Sequence, residues 1–531
     1  MTQQMPKLAS YKRIILCADG TWLASDQGDK SVPSNVAKIA RAIATSGPDA
    51  DGNIVKQIVS YHSGLGSGDL PFQKAIYGGI GRGLDVEVCQ IYDFISNNYE
   101  PGDELFFFGF SRGAFTVRSV ASLVGDFGIL SAVHMSHFAE MWKAYRENTD
   151  GEPFKKTPWY QQNKDKLRLT EDLRIKVVGV WDSVGALGIP EWPLVRLATK
   201  LGIAINKHAF LSDVDYAFQA LAIDEKRQTF LPTLWHKTAD APAKDLQQCW
   251  FPGVHGNIGG QAEDPRIAGD HEEIGDITFA WMVDNLSGLL TFEEAAIEVL
   301  IKQHQQALAE NNTKNNVING WGCGPIVSNF SGLQGAFFRI LGKQDRTPGN
   351  YPRAPGDGID GATNEYFHPI ARIRKSKLSN YNPMSLYGYS IEKPGSDAGW
   401  MWNKKGGQAV PEYVMRPEKK MTMVHEGGYK TTSSLSRLLC PKTLLADLDG
   451  DNVLLRHAYI TEALLVNPQI SRTCVEKVEH HPKLRITSSS VLIKDLVPSL
   501  FHLLGVNSGA RRCSYILQSG ERTNGEPIML A

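Results

Sequence analysis

Three apolar runs, each closed by a polar turn, constrain this chain more than any other feature. Arg13-Ile14-Ile15-Leu16-Cys17-Ala18 leads into Asp19-Gly20-Thr21. Glu104-Leu105-Phe106-Phe107-Phe108-Gly109 leads into Phe110-Ser111-Arg112, and Ile175-Lys176-Val177-Val178-Gly179-Val180-Trp181 into Asp182-Ser183. Strands this short and apolar on both faces belong inside a parallel sheet with helices on either side. Helical spacing fills the intervals. Val36, Ile39, Ala40 and Ile43 share one face, with Ser34 or Asn35 as N-cap. Residues 84–97 also have helical period, and Ala114, Val117, Val120, Ala121 and Val124 mark a further helix. Residues 55–61 read as another strand. The alternation predicts an α/β fold with a mostly parallel central sheet. Such sheets carry their sites at the carboxyl ends of strands, where all three polar turns stand.

The rest of the composition excludes more than it selects. An apolar share of 42% is enough for a core and rules out a mostly disordered chain. Lys and Arg number 56 against 57 Asp and Glu, so no global basic field attracts nucleic acid. Seven cysteines at long spacings, with no C-x-x-C, suggest neither a disulfide framework nor a zinc ribbon. A reducing, cytoplasmic location is expected. The first ten residues lack the build of a signal peptide, and no run of 18 apolar residues exists to span a membrane. No cofactor or metal site is expected.

The pattern weakens after about residue 290. A helix is expected over 292–311 and loops over 311–316 and 346–363; the Gly- and Trp-rich stretch 394–411 reads as a linker or lid. Trp400, Met401 and Trp402 within it read first as core. The expected organisation is a catalytic domain over 11–290 and a C-terminal extension over 291–531, serving as lid, interface or separate subdomain.

Gly109-Phe110-Ser111-Arg112-Gly113 fits G-x-S-x-G, a pattern weak by itself. Its place between an apolar strand and a helix of small residues makes it a candidate nucleophile elbow. Ser111 is then the nucleophile, and the Arg112 N–H at the helix start faces a developing oxyanion. In α/β-hydrolases the acid and then the base follow the serine in the chain. Asp182 closes one apolar run, and His255 follows another in Trp250-Phe251-Pro252-Gly253-Val254-His255. Rival bases are His62, His208, His236, His271 and His368; His62 precedes Ser111, the wrong order. Rival acids are Asp213, Asp215 and Asp224, on an expected helix. Gly20 and Thr21 could complete an oxyanion hole, with Asp19 bracing their loop.

These motifs resemble an α/β-hydrolase domain family whose bacterial members include phospholipase effectors of type VI secretion. The matching pieces are DGTW at 19–22, SNVAKIARAI at 34–43, YHSGLGSG at 61–68 and YEPGDELFFFGFSRGAFTVRS at 99–119. VVGVWDSVGALG at 177–188, DYAFQALAIDEKRQTFLPTLW at 215–235, WFPGVHGNIGG at 250–260 and DITFAWMVDNL at 276–286 follow in order, with NEYFHPIARIR at 364–374 as a tail. The chain looks most like fungal members, which carry long C-terminal extensions. The resemblance implies an α/β-hydrolase fold with Ser111 as nucleophile, Asp182 as acid and His255 as base. It also implies esterase, lipase or phospholipase activity on acyl esters, and so an ester or phospholipid substrate met in transient contact with a membrane surface. Where the family often has Ser-Asp after this histidine, Gly256-Asn257 stands here, so no second carboxylate is expected there. A non-catalytic scaffold on the same fold is the alternative reading, and a thioesterase or peptidase is a third.

Three weaker motifs take ordinary readings. Gly78-Gly79-Ile80-Gly81-Arg82-Gly83 lacks nucleotide-loop spacing, Asp447-Leu448-Asp449-Gly450-Asp451 lacks calcium-loop spacing, and Glu479-His480-His481 lacks metal-ligand spacing.

Overall fold

The apolar runs become the central strands of an eight-stranded sheet in the computed structural model. The structure describes residues 7–20, 33–64, 83–148, 153–170, 173–184, 214–236, 245–260, 273–315, 320–326, 330, 342–351, 363–393 and 399–448. The strands are β1 (Leu8–Ala18), β2 (Ser46–Pro48), β3 (Ile54–His62), β4 (Glu104–Phe110), β5 (Ile175–Trp181), β6 (Val214–Ala222), β7 (Asp245–Phe251) and β8 (Glu365–Phe367). Their order is β8-β7-β6-β5-β4-β1-β3-β2, and every neighbouring pair is parallel except β2 with β3. The chain moves outward from β1 to β3, then crosses to the other side of β1 for β4. The crevice at the carboxyl ends of β1 and β4 is therefore a topological switch point, the usual ligand position in an open parallel sheet.

Burial explains why these segments are strands. Ile14, Ile15, Leu16 and Cys17 of β1 and Leu105 to Phe108 of β4 are all fully buried, so both faces of each strand are covered. On one face, Ile14, Leu16, Leu105 and Phe107 share a core with helices α1 (Gly83–Asn98) and α2 (Ser111–Phe127). Aromatic side chains extend that core through Phe138, Trp142, Phe154 and Tyr160, in helical segments inserted between α2 and β5. Against the other face lies the buried helix Glu273–Asn285, whose Trp281 packs on Phe218 and Phe251. A Cβ on Gly179 would sit 2.7 Å from Met282 Sδ.

The helix Asn35–Ala42 starts where its sequence predicts, with the Ser34 hydroxyl accepting the Ala37 N–H at 3.0 Å. One expectation is corrected: residues 214–222 are a strand, although their Ala, Gln and Leu favour helix. Placement between β5 and β7 overrides propensity, because Val214, Ala217, Phe218, Ala220 and Leu221 fill both covered faces.

Beyond residue 290 the chain adds two small sheets, Thr291–Glu293 with Met421–His425 and Gly428–Thr432, and Tyr389–Glu392 with Met401–Lys404 and Val410–Pro411. Trp402 is fully buried against Phe367, with ring centroids 4.4 Å apart, and is core. Arg372 lies over the Trp400 ring. By contacts the chain divides into two compact units, Met1–Pro441 and Lys442–Ala531. The second is described only over the helix Lys442–Leu448. No described helix is long and apolar enough to cross a membrane. The glycine cluster up to Arg82 and the Glu479-His480-His481 motif lie outside the described residues, as does the Asp447–Asp451 motif beyond Leu448.

Candidate active site

Strand β4 hands over to α2 at Ser111, whose φ is +57°. A non-glycine residue held there costs about 1–3 kcal/mol and persists only where its surroundings enforce it. The flanking glycines are part of that enforcement. A Cβ on Gly109 would lie 2.6 Å from Ala114 Cα, and one on Gly113 would lie 2.2 Å from Ala18 O. The first glycine lets the helix fold back over its strand, and the second lets it pass the end of β1. Ser111 stays 8% exposed at the crevice. The Arg112 N–H is among the first helical amides, which have no acceptor inside the helix and sit at the positive end of its dipole.

Asp182 follows β5 and His255 opens the short helix His255–Gly259 after β7. His255 Nδ1 lies 2.6 Å from Asp182 Oδ2, and His255 Nε2 lies 2.8 Å from Ser111 Oγ. An ionised carboxylate only accepts, so Nδ1 carries the proton and Nε2 is left to accept the Ser111 hydroxyl. The imidazole is held between the Phe110 ring, 4.7 Å away, and the Phe230 ring, 4.9 Å away. Asp182 is fully buried, with φ +40° and its N–H on Ala220 O.

Sequence reasoning missed Arg346, which is 1% exposed and grips Asp182 in a fork. Its Nη1 donates to Oδ1 and its Nη2 to Oδ2, both at 3.1 Å. Burial alone would raise the Asp182 carboxyl, but the Arg346 guanidinium and the His255 hydrogen bond hold it well below the usual carboxylate range. Glu225 was missed as well. Its Oε2 accepts the His255 backbone N–H at 3.2 Å, and Arg227 pairs with both its oxygens. Burial opposes its ionisation, and Arg227, with the nearby His255 and Arg346, more than offsets that. No local pattern marks either pair. The available signal was indirect: a buried carboxylate needs a cation, which for Glu225 stands two residues on at Arg227 and for Asp182 comes from far along the chain.

The other expected site residues fall as follows. Asp19 braces the first turn, accepting from Ser34 Oγ at 2.5 Å, Tyr61 Oη at 2.7 Å and the Gly20 N–H at 2.7 Å. The Gly20 amide is thus engaged by its neighbour's carboxylate. Thr21 lies outside the described residues, as do His208, His271 and Asp213. Asp215 pairs with Arg174 and Lys176. Asp224 accepts the Gly253 N–H and the Tyr381 hydroxyl. His62 bonds Ser60, and burial lowers it to about 4. Asn257, where the family often has Asp, caps its own turn by accepting the Val254 N–H at 3.1 Å. Among the described residues no three His, Cys, Asp or Glu side chains are grouped to hold a metal ion. A cavity of about 730 Å³ is lined by Asp224, Cys323, Arg374, Lys377 and Tyr381, and by none of Ser111, Asp182 and His255.

Residues 12–285, just over half of the chain, match the family model described as the catalytic domain of Tle1-like phospholipase effectors of the type VI secretion system. An uncharacterised protein of Saccharomyces cerevisiae, YEL023C, is 26% identical over an alignment of 239 residues that covers 42% of this chain and 32% of that protein. Two solved structures are more distant. The Tle1 effector bound to the VgrG spike is 17% identical, with a TM-score of 0.25 over 49% of this chain and 52% of its own. An uncharacterised protein from Pseudomonas aeruginosa is 14% identical, with a TM-score of 0.32 over 62% and 50%. The chain thus spans about a third of the yeast relative and about half of each solved structure, and the two structural likenesses are too slight to carry an argument.

Proposed function

The chain belongs to the Tle1-like phospholipase effector catalytic-domain family, and we propose on that footing that it is a serine hydrolase of acyl esters. One observation carries the reading: Ser111 Oγ, His255 and Asp182 form an unbroken hydrogen-bonded line at the switch point of the sheet. Ser111 Oγ attacks the acyl carbon while His255 Nε2 takes its proton. Asp182 fixes the tautomer and stabilises the imidazolium. The Arg112 N–H faces the oxyanion, a donor worth about 3–4 kcal/mol in comparable sites. His255 then protonates the leaving alcohol, and water resolves the acyl-enzyme through the same base. The substrate class is an acyl ester, with phospholipid the first to screen because relatives in the family are phospholipase effectors.

The test is intact mass after treatment with a fluorophosphonate, on the full chain and on Ser111→Ala. One adduct is expected on the native protein and none on the variant, with ester turnover falling roughly 10⁴-fold or more. A folded native protein that takes no adduct would favour a scaffold on a hydrolase fold.

A further inference from the structure

Arg346 stands 61 residues beyond the end of the family match at 285, yet its guanidinium meets the buried acid of the proposed site. Its delivery is specific. Residues 342–344 pair antiparallel with 226–228, through Gln228 N–H to Gly342 O at 3.2 Å and Gln344 N–H to Lys226 O at 2.9 Å. That pairing sets Arg346 beside the loop after β6. Its Nη2 also donates to Phe230 O at 2.7 Å, and the Phe230 ring is one wall of the His255 pocket. A carboxylate offers about four acceptor positions. Asp182 fills them with His255 Nδ1, the Ala222 N–H and the two Arg346 contacts. With those donors in place the carboxylate cannot rotate without losing a bond.

We infer that Arg346 is a positioning residue that locks the Asp182 carboxylate onto His255 and, by its charge, weakens the hold of the imidazole on an acquired proton. The proposal rests on the reading of Ser111, Asp182 and His255 given above. Two carboxylate–guanidinium pairs border the imidazole, Asp182 with Arg346 on its Nδ1 side and Glu225 with Arg227 at its backbone N–H. Among the described residues, Ser111, Phe110 and Phe230 also meet the ring, and Tyr351 and Glu225 are further titratable groups near Arg346. Charge among these described groups is balanced, and removing one cation shifts that balance toward the imidazolium. The segment after residue 290 supplies part of the working site rather than only covering it.

The test uses the full chain with ¹⁵N-labelled histidine, following the His255 ring through a pH titration in native protein, Arg346→Met and Arg346→Lys. Fluorophosphonate labelling rates and thermal unfolding are measured alongside. In Arg346→Met the ring midpoint is expected to rise by about one pH unit or more. In Arg346→Lys it should stay within about half a unit, because the charge remains, while labelling slows about tenfold as the planar fork is lost. A folded Arg346→Met with an unmoved midpoint overturns the inference. Should Arg346→Met not fold, an Arg346→Lys that labels at the native rate overturns it equally. Native protein that takes no adduct would sink the reading of Ser111 instead, and the ring titration would still decide the role of Arg346.

Discussion

Two buried histidines follow neighbouring strands of the same sheet, and their surroundings differ in kind. His255 follows β7 and is met by a carboxylate, a hydroxyl and two bordering ion pairs. His368 follows β8 and is fully buried among the rings of Phe251, Trp321 and Tyr413, with centroids 4.6–6.1 Å away. Its Nδ1 accepts the Ile370 N–H at 3.4 Å as a helix cap, and burial lowers it to about 3. The first histidine has a carboxylate on one ring nitrogen and a hydroxyl on the other, whereas burial among rings favours the neutral form of the second. Burial and strand-end position are common to both, so neither identifies a base. The acid partner and the hydroxyl within reach of the second nitrogen are what the proposed base has and His368 lacks.

Exchanging each histidine tests that contrast most strongly. His255→Ala should reduce ester turnover roughly 10⁴-fold or more, measured with a chromogenic ester at saturating concentration. His368→Asn keeps a capping acceptor, and its turnover per folded molecule should stay within about threefold of native. A large loss of turnover in folded His368→Asn would mean that the aromatic cage also works in catalysis.

Removing a charge comes next. Asp182→Asn leaves the Arg346 guanidinium buried without its counter-ion, which should lower stability by about 3–5 kcal/mol in urea unfolding. Asp182→Asn combined with Arg346→Met should lose less than Asp182→Asn alone, because no orphaned charge remains. A double variant that loses the sum of the two single effects would mean that the pair is not coupled in the folded protein.

The two regions also differ in how far the sequence revealed them. The strands leading to Ser111 and Asp182 were legible because parallel central strands are apolar on both faces and end in short turns. The glycines beside Ser111 were legible because their pattern is a steric requirement, met here by Ala18 O and the Ala114 backbone. Chain order set aside His62 alone, and a place after an apolar run favoured His255, while His368 remained a rival because the residues that surround a side chain are not written beside it. Strand β6 was misread as helix, since local propensity speaks before tertiary placement is known. Arg346 was invisible for the same reason at longer range: its partner lies 164 positions away, and the pairing that delivers it joins two loops. Strand β8, three residues long, is too short for alternation to register.

The smallest expected effect concerns pH and applies to the aromatic cage. A histidine whose folded pKa lies below its unfolded value of about 6.5 binds its proton more readily in the unfolded chain. Stability from that group is complete above about pH 6.5 and is lost as pH falls toward the folded value, about 3 for His368 and about 4 for His62. Each group can contribute a slope of up to about 1.4 kcal/mol per pH unit in that window. His368→Asn removes one such slope. Its urea stability at pH 8 should fall by about 2 kcal/mol, since the smaller side chain leaves space among three rings. From pH 6 to pH 4.5 its stability should then decline less steeply than that of native protein, so the two curves converge in acid. Curves that stay parallel across this range would mean that His368 takes up a proton inside its cage, and the difference between the two histidines would then be one of partners rather than of charge.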